Sequence, residues 1–149
     1  MNVRQTEWRR AQGADLKTIA ALLESCALPT CDLNEAMLAS FCVADTEDRI
    51  VGVAGVEAFG DCALLRSLAV AEDRRGAGVA ARLADWCEAE ARRQGVKTAY
   101  LLTTTAAEYF RKRGDADVPR ETAPLAVAEH VQFRSLCSAS ARCLAKHLA

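Results

Sequence analysis

Long apolar runs are missing from this chain of 149 residues. No segment approaches the roughly 20 apolar residues of a membrane-spanning helix, and the first residues, "MNVRQTEWRRAQ", lack the apolar centre of a secretion signal. The formal net charge is only -1, so no excess of basic residues favours binding to nucleic acid or to an anionic membrane. We therefore expect a cytoplasmic protein with no nucleic-acid and no membrane partner.

The cysteines are numerous, but they lack the spacing that is typical of metal ligands. None of the seven cysteines stands at the two-residue spacing of a zinc knuckle, and only His130 and His147 could assist them. An odd number of cysteines without a secretion signal argues against a disulfide framework. We expect no metal site, and we expect most cysteines to be small buried hydrophobic residues.

The chain contains no repeat, no low-complexity tract and no composition typical of a linker. Hydrophobic residues make up 51% and charged residues 26% of the composition, which is typical of a globular protein. A chain of this length suits one hydrophobic core. We therefore predict a single domain over residues 1–149.

Residue periodicity predicts an α/β fold around a mixed sheet. A strand in "VRQTEWRRA" precedes a helix in "DLKTIAALLESC" and a short second helix in "LPTCDLNEAML". An antiparallel meander of three strands follows, in "SFCVAD", "RIVGVAGVEAF" and "CALLRSLAV". After it come a long helix from Gly78 to about Gln94, a strand in "VKTAYLLTTT" and a helix in "AAEYFRKR". The tail is predicted to hold a helix in "PLAVAEHVQF" and a strand in "ARCLAKHL".

A glycine-rich loop, "RRGAGVA", lies between the third strand of the meander and the long helix. The first turn of a helix presents unpaired N–H groups and the positive end of its dipole. Gly76 and Gly78 allow an anion to approach those amides, and Arg74 and Arg75 add positive charge. The alternative is a structural turn with solvated arginines. A Walker loop and a dinucleotide fingerprint are excluded, because the Lys-Ser/Thr ending and the three-glycine spacing are absent.

The stretch Arg75-Gly76-Ala77-Gly78-Val79-Ala80 resembles the Arg/Gln-x-x-Gly-x-Gly/Ala motif of the GCN5-related N-acetyltransferases (GNAT). It follows "SLAVAED" and precedes "YLLTTTAAEYFRKRG", in the order that this family has. The resemblance implies a mixed, mostly antiparallel sheet that is flanked by helices and splayed in the middle to admit acetyl-CoA. It also implies that acetyl-CoA is the cosubstrate.

The same resemblance implies two groups of cofactor contacts. The loop amides would bind the pyrophosphate of acetyl-CoA; they belong to Arg75, Gly76, Ala77, Gly78, Val79 and Ala80. The backbone of Leu68, Ala69 and Val70 would pair with the pantetheine arm like an added strand.

A narrower resemblance involves "GDCALLRSLAV", "LLTTTAAEYF" and "VQFRSLCSASA". These stretches are similar to small acetyltransferases of bacterial arsenic-resistance operons, which are thought to acetylate amino-acid-like substrates. Gln132 and Cys137 lie in the third stretch. The resemblance makes Gln132 a candidate substrate-binding residue, whereas Cys137 is either a soft ligand for arsenic or a core residue.

Two charged residues, Glu57 and Arg66, stand in predicted apolar strands. A two-residue turn at Gly60-Asp61 would place them on one face with Leu68 and Val70. In one interpretation they form a structural ion pair. In the other, Glu57 takes a proton from the substrate ammonium and Arg66 binds a substrate carboxylate. The two interpretations are compatible.

The general acid that the family implies is a tyrosine four residues before the glycine that ends the helix after the fifth strand. Phe110 stands at that position before Gly114, and Tyr109 is its neighbour. Tyr109 is therefore a candidate acid for the departing CoA thiolate, with water or a purely structural role as alternatives. Thr103 is a candidate substrate-binding residue, or it caps the helix that begins near Ala106.

Together these features predict an acetyl-CoA-dependent N-acetyltransferase that acts on the primary amine of a small amino-acid-like molecule. The alternatives are acetylation of a protein or peptide amine, and a CoA-binding sensor without turnover. A small-molecule amine is the expected partner, and a homodimer is left open.

Overall fold

The computed structural model of the chain describes residues 6–133 and 140–148. In this part of the chain the strands, β1 to β7, are Glu7–Arg10, Phe41–Asp45, Ile50–Phe59, Cys62–Val70, Thr98–Thr103, Ala116–Asp117 and Arg142–His147. The α-helices, α1 to α4, are Leu16–Ser25, Val79–Arg93, Ala107–Lys112 and Leu125–Ala128. Short 3₁₀ turns cover Gly13–Asp15, Glu35–Ser40, Glu72–Arg74 and Arg120–Thr122.

The strands form one sheet in the order β1-β2-β3-β4-β5-β7-β6. β1 with β2, β2 with β3, β5 with β7 and β6 with β7 are antiparallel pairs, whereas β4 and β5 are parallel. The predicted α/β class with a mixed, mostly antiparallel sheet is therefore confirmed. Parallel pairing joins residues 62–64 to residues 98–100, although both strands continue further. The predicted splay of the sheet would begin where this short pairing ends.

The chain divides into two compact units. The first contains the residues up to Val56 together with Ser67–Ala89. Its core comprises Ala11, Ile19, Leu23, Leu38, Phe41, Val43, Ile50, Val53 and Ala69. Ile19 and Leu23 lie four residues apart on one face of α1, and both are 0% exposed. Full burial of such a side chain contributes roughly 1.5–3 kcal/mol, which explains why α1 packs on this face.

Gly52 of β3 determines how closely the long helix packs within this first unit. A Cβ atom added at Gly52 would lie 2.8 Å from Val79 Cγ1 and 2.9 Å from Leu83 Cδ1, both in α2. Since real Cβ atoms do not approach other atoms so closely, only glycine allows the first turns of α2 to lie directly on the strand. This contact therefore sets where the loop before α2 must end.

The second unit contains Glu57–Arg66 and the chain from Glu90 onwards. Its core comprises Cys62, Leu64, Ala123, Val127, Phe133 and Cys143. Arg120 anchors the segment after α4, because its Nη2 donates to the Phe133 carbonyl at 2.9 Å and its guanidinium lies 5.8 Å from the ring centroid. The segment around α4 is thus part of the core of this unit.

Most predicted elements lie within a few residues of their observed positions. The strand predicted in "CALLRSLAV" is β4, the long helix begins one residue after Gly78, and the tail strand is β7. The short second helix is instead the 3₁₀ turn Glu35–Ser40, and only four residues of the predicted tail helix form α4. β6 was not predicted, because a strand of two residues carries no periodicity.

Ser67 changes the register expected for β4. Its φ angle is 58°, in the left-handed region that extended strands avoid. Because side chains alternate only along extended backbone, the face predicted for Arg66 does not continue to Leu68 and Val70. That part of the strand prediction is wrong.

No helix in residues 6–133 or 140–148 combines the length and the apolar character that crossing a membrane requires.

Candidate active site

The glycine-rich loop follows β4 in the first unit. Residues 75–78 are exposed, and Gly76 and Gly78 have φ angles of 81° and 82°. A side chain would strain the backbone in both positions. Neither glycine has an atom within 4 Å of the place where a Cβ would lie, so an incoming group can reach the backbone there. This open, left-handed loop fits the predicted anion-binding site, an anion cradle formed by the backbone of residues 75–80.

Helix α2 supplies the amides of that cradle. Its first intrahelical bond runs from the Arg82 N–H to the Gly78 carbonyl at 3.2 Å. The N–H groups of residues 79–81 therefore have no partner within the helix. They lie at the positive end of its dipole, which favours an anion.

The Arg75 side chain points back toward the body of the first unit. Its Nε donates to the Val70 carbonyl at 3.2 Å, and its Nη2 lies 3.5 Å from Cys26 Sγ. Arg75 thus closes the loop between the end of β4 and the start of α2. The Val70 carbonyl, a predicted partner of the pantetheine arm, already accepts this bond, whereas Ala69 is 4% exposed.

Glu57 and Arg66 are brought together in the second unit. Arg66 Nη1 donates to Glu57 Oε2 at 2.9 Å, and the two side chains are 1% and 23% exposed. Burial of a guanidinium requires such a partner, because an unpaired charge would lose its hydration without compensation. The predicted ion pair is therefore present, and a substrate carboxylate would have to reach a guanidinium that is almost fully covered.

His130, which sequence reasoning treated only as a weak metal ligand, completes this cluster. Its Nε2 lies 2.7 Å from Glu57 Oε2, and its side chain is 11% exposed. Both bonds that Glu57 receives from described residues thus end on the same oxygen. The partners are 73 residues apart in the chain, so no local pattern could have found the contact.

Three other predicted site residues lie in the second unit. Thr103 Oγ1 accepts a hydrogen bond from the Ala106 N–H at 2.9 Å, just before α3. The half-buried ring of Tyr109 stacks edge-on against Phe110 at 5.2 Å, and Phe110 is the buried member of the pair. Gln132 is 6% exposed, and its backbone N–H donates to His130 Nδ1.

The described cysteines are mostly core residues, as expected. Cys42, Cys62, Cys87 and Cys143 are buried, whereas Cys26 is half-buried and Cys31 is exposed. Burial raises the pKa of both Cys42 and Cys143 to about 11, so these thiols stay protonated at neutral pH. Cys137 lies outside the described residues. Within residues 6–133 and 140–148, no three His, Cys, Asp or Glu side chains gather in a way that could hold a metal ion.

Comparison with known protein families identifies the chain. A family model described as "Acetyltransferase (GNAT) domain" matches residues 38–114, which include the loop, α2 and α3. This match covers more than half of the 149 residues. The chain belongs to the GNAT acetyltransferase family. The resemblance inferred from the loop motif is thereby confirmed.

A curated relative of this GNAT chain is the amino-acid acetyltransferase of Ectopseudomonas mendocina (strain ymp). The two are 38% identical over 105 residues, which is 69% of this chain and 24% of the relative. The chain thus spans about a quarter of the length of the curated relatives it matches.

Two solved structures share the fold. N-acetylglutamate synthase from Neisseria gonorrhoeae, complexed with coenzyme A and N-acetyl-glutamate, superposes with a TM-score of 0.84 at 22% identity, covering 99% of this chain and 36% of that one. Rv2747 from Mycobacterium tuberculosis, in complex with CoA and NLQ, superposes with a TM-score of 0.76 at 19% identity, covering 96% of this chain and 99% of that one. These similarities show that the chain has the GNAT fold.

Proposed function

We propose that this chain is an acetyl-CoA-dependent N-acetyltransferase that transfers an acetyl group directly to the primary amine of an amino-acid-like molecule. The position of Glu57 is the observation that carries the proposal. Glu57 is an acidic residue in a strand of mostly buried residues, and 23% of its side chain is exposed. Family membership and the relatives named amino-acid acetyltransferases support the same activity.

Glu57 acts as the base in this proposal. An amino-acid amine is largely an ammonium ion at neutral pH and cannot attack a thioester until it loses a proton. Glu57 accepts that proton, directly or through a water molecule. The amine nitrogen then forms a bond to the acetyl carbonyl carbon, the carbon–sulfur bond breaks, and its electron pair leaves on sulfur. The nitrogen releases its second proton to solvent, the thiolate takes up one proton, and the products are the amide and CoA.

The loop before α2 fits the pyrophosphate of acetyl-CoA. Its left-handed glycines leave the backbone accessible, and the N–H groups of residues 79–81 have no partner within the helix. In the proposal, the amides of residues 75–80 hold the pyrophosphate, and the backbone of Leu68, Ala69 and Val70 pairs with the pantetheine arm. When bound, acetyl-CoA supplies an activated acetyl group.

Tyr109 is the proposed source of the proton for the departing thiolate. The residue four before Gly114 is Phe110, which is 5% exposed and packs into the core. Tyr109 is half-buried on the same helix and carries the hydroxyl that Phe110 lacks. Thr103, Gln132 and Arg66 are the proposed substrate contacts.

A thiol-release assay with acetyl-CoA tests the function. The panel contains amino acids, their carboxyl amides and a lysine-containing peptide. We expect turnover with at least one free amino acid and weaker turnover with its amide, because the amide lacks a carboxylate. Equal rates for acid and amide would contradict carboxylate recognition, preference for the peptide would favour the protein-amine alternative, and CoA binding without turnover would favour the sensor.

Glu57→Gln tests the base. We expect kcat/KM at pH 7 to fall by about 10²-fold or more, since an amide cannot accept the proton. The loss should shrink at high pH, where the amine loses its proton to water. Glu47→Gln is the matched control, because Glu47 is exposed in the turn before β3. Full activity of Glu57→Gln at pH 7 would eliminate Glu57 as the base.

A role in the resistance of the cell to arsenic is a further proposal. A role in arsenic resistance rests on the narrower sequence resemblance alone, and the curated relatives are named amino-acid acetyltransferases instead. Including arsenic-bearing amino-acid analogues in the assay panel tests it. Cytoplasmic location, a homodimer and a single domain stay predictions as well.

A further inference from the structure

His130 has no role in the chemistry proposed above, yet it makes the shorter of the two contacts to Glu57. The His130 Nε2 lies 2.7 Å from Glu57 Oε2, compared with 2.9 Å for Arg66 Nη1. Short bonds to a carboxylate oxygen are typical of charge-assisted hydrogen bonds. His130 therefore has a strong influence on where this carboxylate lies.

The protonation of the His130 ring follows from its two hydrogen bonds. The Gln132 backbone N–H donates to His130 Nδ1 at 3.0 Å, so Nδ1 acts as an acceptor and carries no proton. In the neutral ring the proton then lies on Nε2, which donates to Glu57 Oε2. A doubly protonated ring would have to give up the bond from Gln132.

Core packing holds the ring at this place. Val127 and Phe133 lie three residues before and three residues after His130, and they are 0% and 8% exposed. Backbone hydrogen bonds tie His130 to both, because its N–H donates to the Val127 carbonyl at 3.0 Å and its carbonyl accepts from the Phe133 N–H at 2.9 Å. The Phe59 ring of β3 stacks edge-on against the His130 ring, with centroids 6.1 Å apart. The imidazole is thus anchored on the same core that holds the strand of Glu57.

Both donors leave Glu57 Oε1 without a partner among the described residues. Arg66 and His130 reach Oε2, and the carboxylate keeps 23% exposure. A carboxylate with one oxygen held by two donors cannot rotate freely, because rotation would break both bonds. The other oxygen is then presented in one fixed direction.

We propose that His130, in its Nε2–H tautomer, is a positioning residue that holds Glu57 Oε2 and thereby aims Oε1 at the substrate amine. This inference rests on the proposed function, in which Glu57 is the base. His130 itself does not carry the substrate proton, because its Nδ1 is occupied by the Gln132 amide. It acts through the orientation of Glu57 alone.

A pair of substitutions tests the positioning role. His130→Leu removes the donor, whereas His130→Gln keeps an N–H group near the position of Nε2. We expect His130→Leu to lower kcat about tenfold or more, since small displacements of catalytic groups have effects of this order, with the KM for acetyl-CoA unchanged. His130→Gln should recover most of that loss, and His147→Gln, at an exposed position of β7, should match the wild type. Equal losses in His130→Leu and His130→Gln, or no loss in either, would overturn the inference.

A measurement on the resting protein separates this inference from the proposed function. With two histidines in the chain, 15N spectra of labelled protein can be assigned by means of the His147→Gln variant. We expect the spectrum of the neutral His130 ring to show a proton on Nε2 and none on Nδ1. A proton on Nδ1 would overturn the inference whatever the activity. Absence of turnover in the wild type with this tautomer present would instead overturn the proposed function.

Discussion

The Arg9 guanidinium donates hydrogen bonds to three carboxylate oxygen atoms. It donates to both carboxylate oxygens of Asp15, at 2.9 and 3.0 Å, and through Nε to Asp45 at 3.1 Å. The hydrogen bonds from Arg9 lower the pKa of Asp15, and the Gln12 backbone N–H adds to this effect. The charged form of Asp15 is therefore favoured in the folded protein.

This depressed pKa predicts a pH-dependent contribution to stability. An aspartate whose folded pKa lies below its unfolded value of about 3.9 stabilises the protein above that value and loses the effect as the pH falls through the folded pKa. We expect Asp15→Asn to lower the free energy of unfolding by about 1 kcal/mol at pH 7. The difference should shrink as the pH is lowered from about 4.

Urea unfolding of both proteins at several pH values measures this difference. Glu47→Gln, an exposed carboxylate, serves as the control and should show little change. A difference between wild type and Asp15→Asn that is the same at pH 7 and pH 3 would contradict the assignment.

At the scale of the elements, the glycines around α2 have two different roles. Gly52 below the helix allows close packing, whereas Gly78 at its start and Gly95 after its end have φ angles of 82° and 85°. Both terminal glycines have open space where a side chain would lie. They therefore form a matched pair, of which only Gly78 belongs to the predicted anion cradle.

Substitutions of the two glycines should have different effects on CoA binding. Gly78→Ala and Gly95→Ala are each expected to destabilise the protein by about 1 kcal/mol, the cost of a left-handed backbone for alanine. Only Gly78→Ala should weaken CoA binding, because its methyl group lies on the loop that the pyrophosphate approaches. Calorimetric titration with CoA measures the two affinities. Equal affinities for the two variants would contradict the cradle assignment.

At the scale of the whole molecule, three elements contribute residues to both units. They are β3, β4 and α2. Trp8 and Trp86 belong to the first unit, and Tyr100 and Tyr109 belong to the second. Tryptophan emission therefore reports on the first unit alone.

We expect the units to unfold together, as the prediction of a single domain requires. Val127→Ala creates a cavity in the core of the second unit, where Val127 is 0% exposed, and should cost about 2 kcal/mol. In a cooperative transition the midpoint monitored by tryptophan emission should fall as far as that monitored by circular dichroism. An unchanged tryptophan midpoint would show that the units unfold independently.

Local residue patterns predicted most of the fold and the position of the loop. Strand β4 and helix α2 were predicted because apolar spacing and terminal glycines depend on neighbours within a few residues. The Glu57–Arg66 pair followed from a two-residue turn, since the turn length determines which residues of a hairpin lie near each other. The left-handed Ser67 was not predicted, because serine is not a residue type that indicates such a backbone angle.

The sequence by itself determined the family, the order of the elements and the glycine loop, because each depends on short motifs. Only the tertiary structure decided that Arg75 turns back to the Val70 carbonyl and that His130 shares Glu57 with Arg66. Such bonds join residues that packing brings together, and their energies are small compared with the burial that places the strands and helices. The direction in which Glu57 points is therefore a property of the packed core.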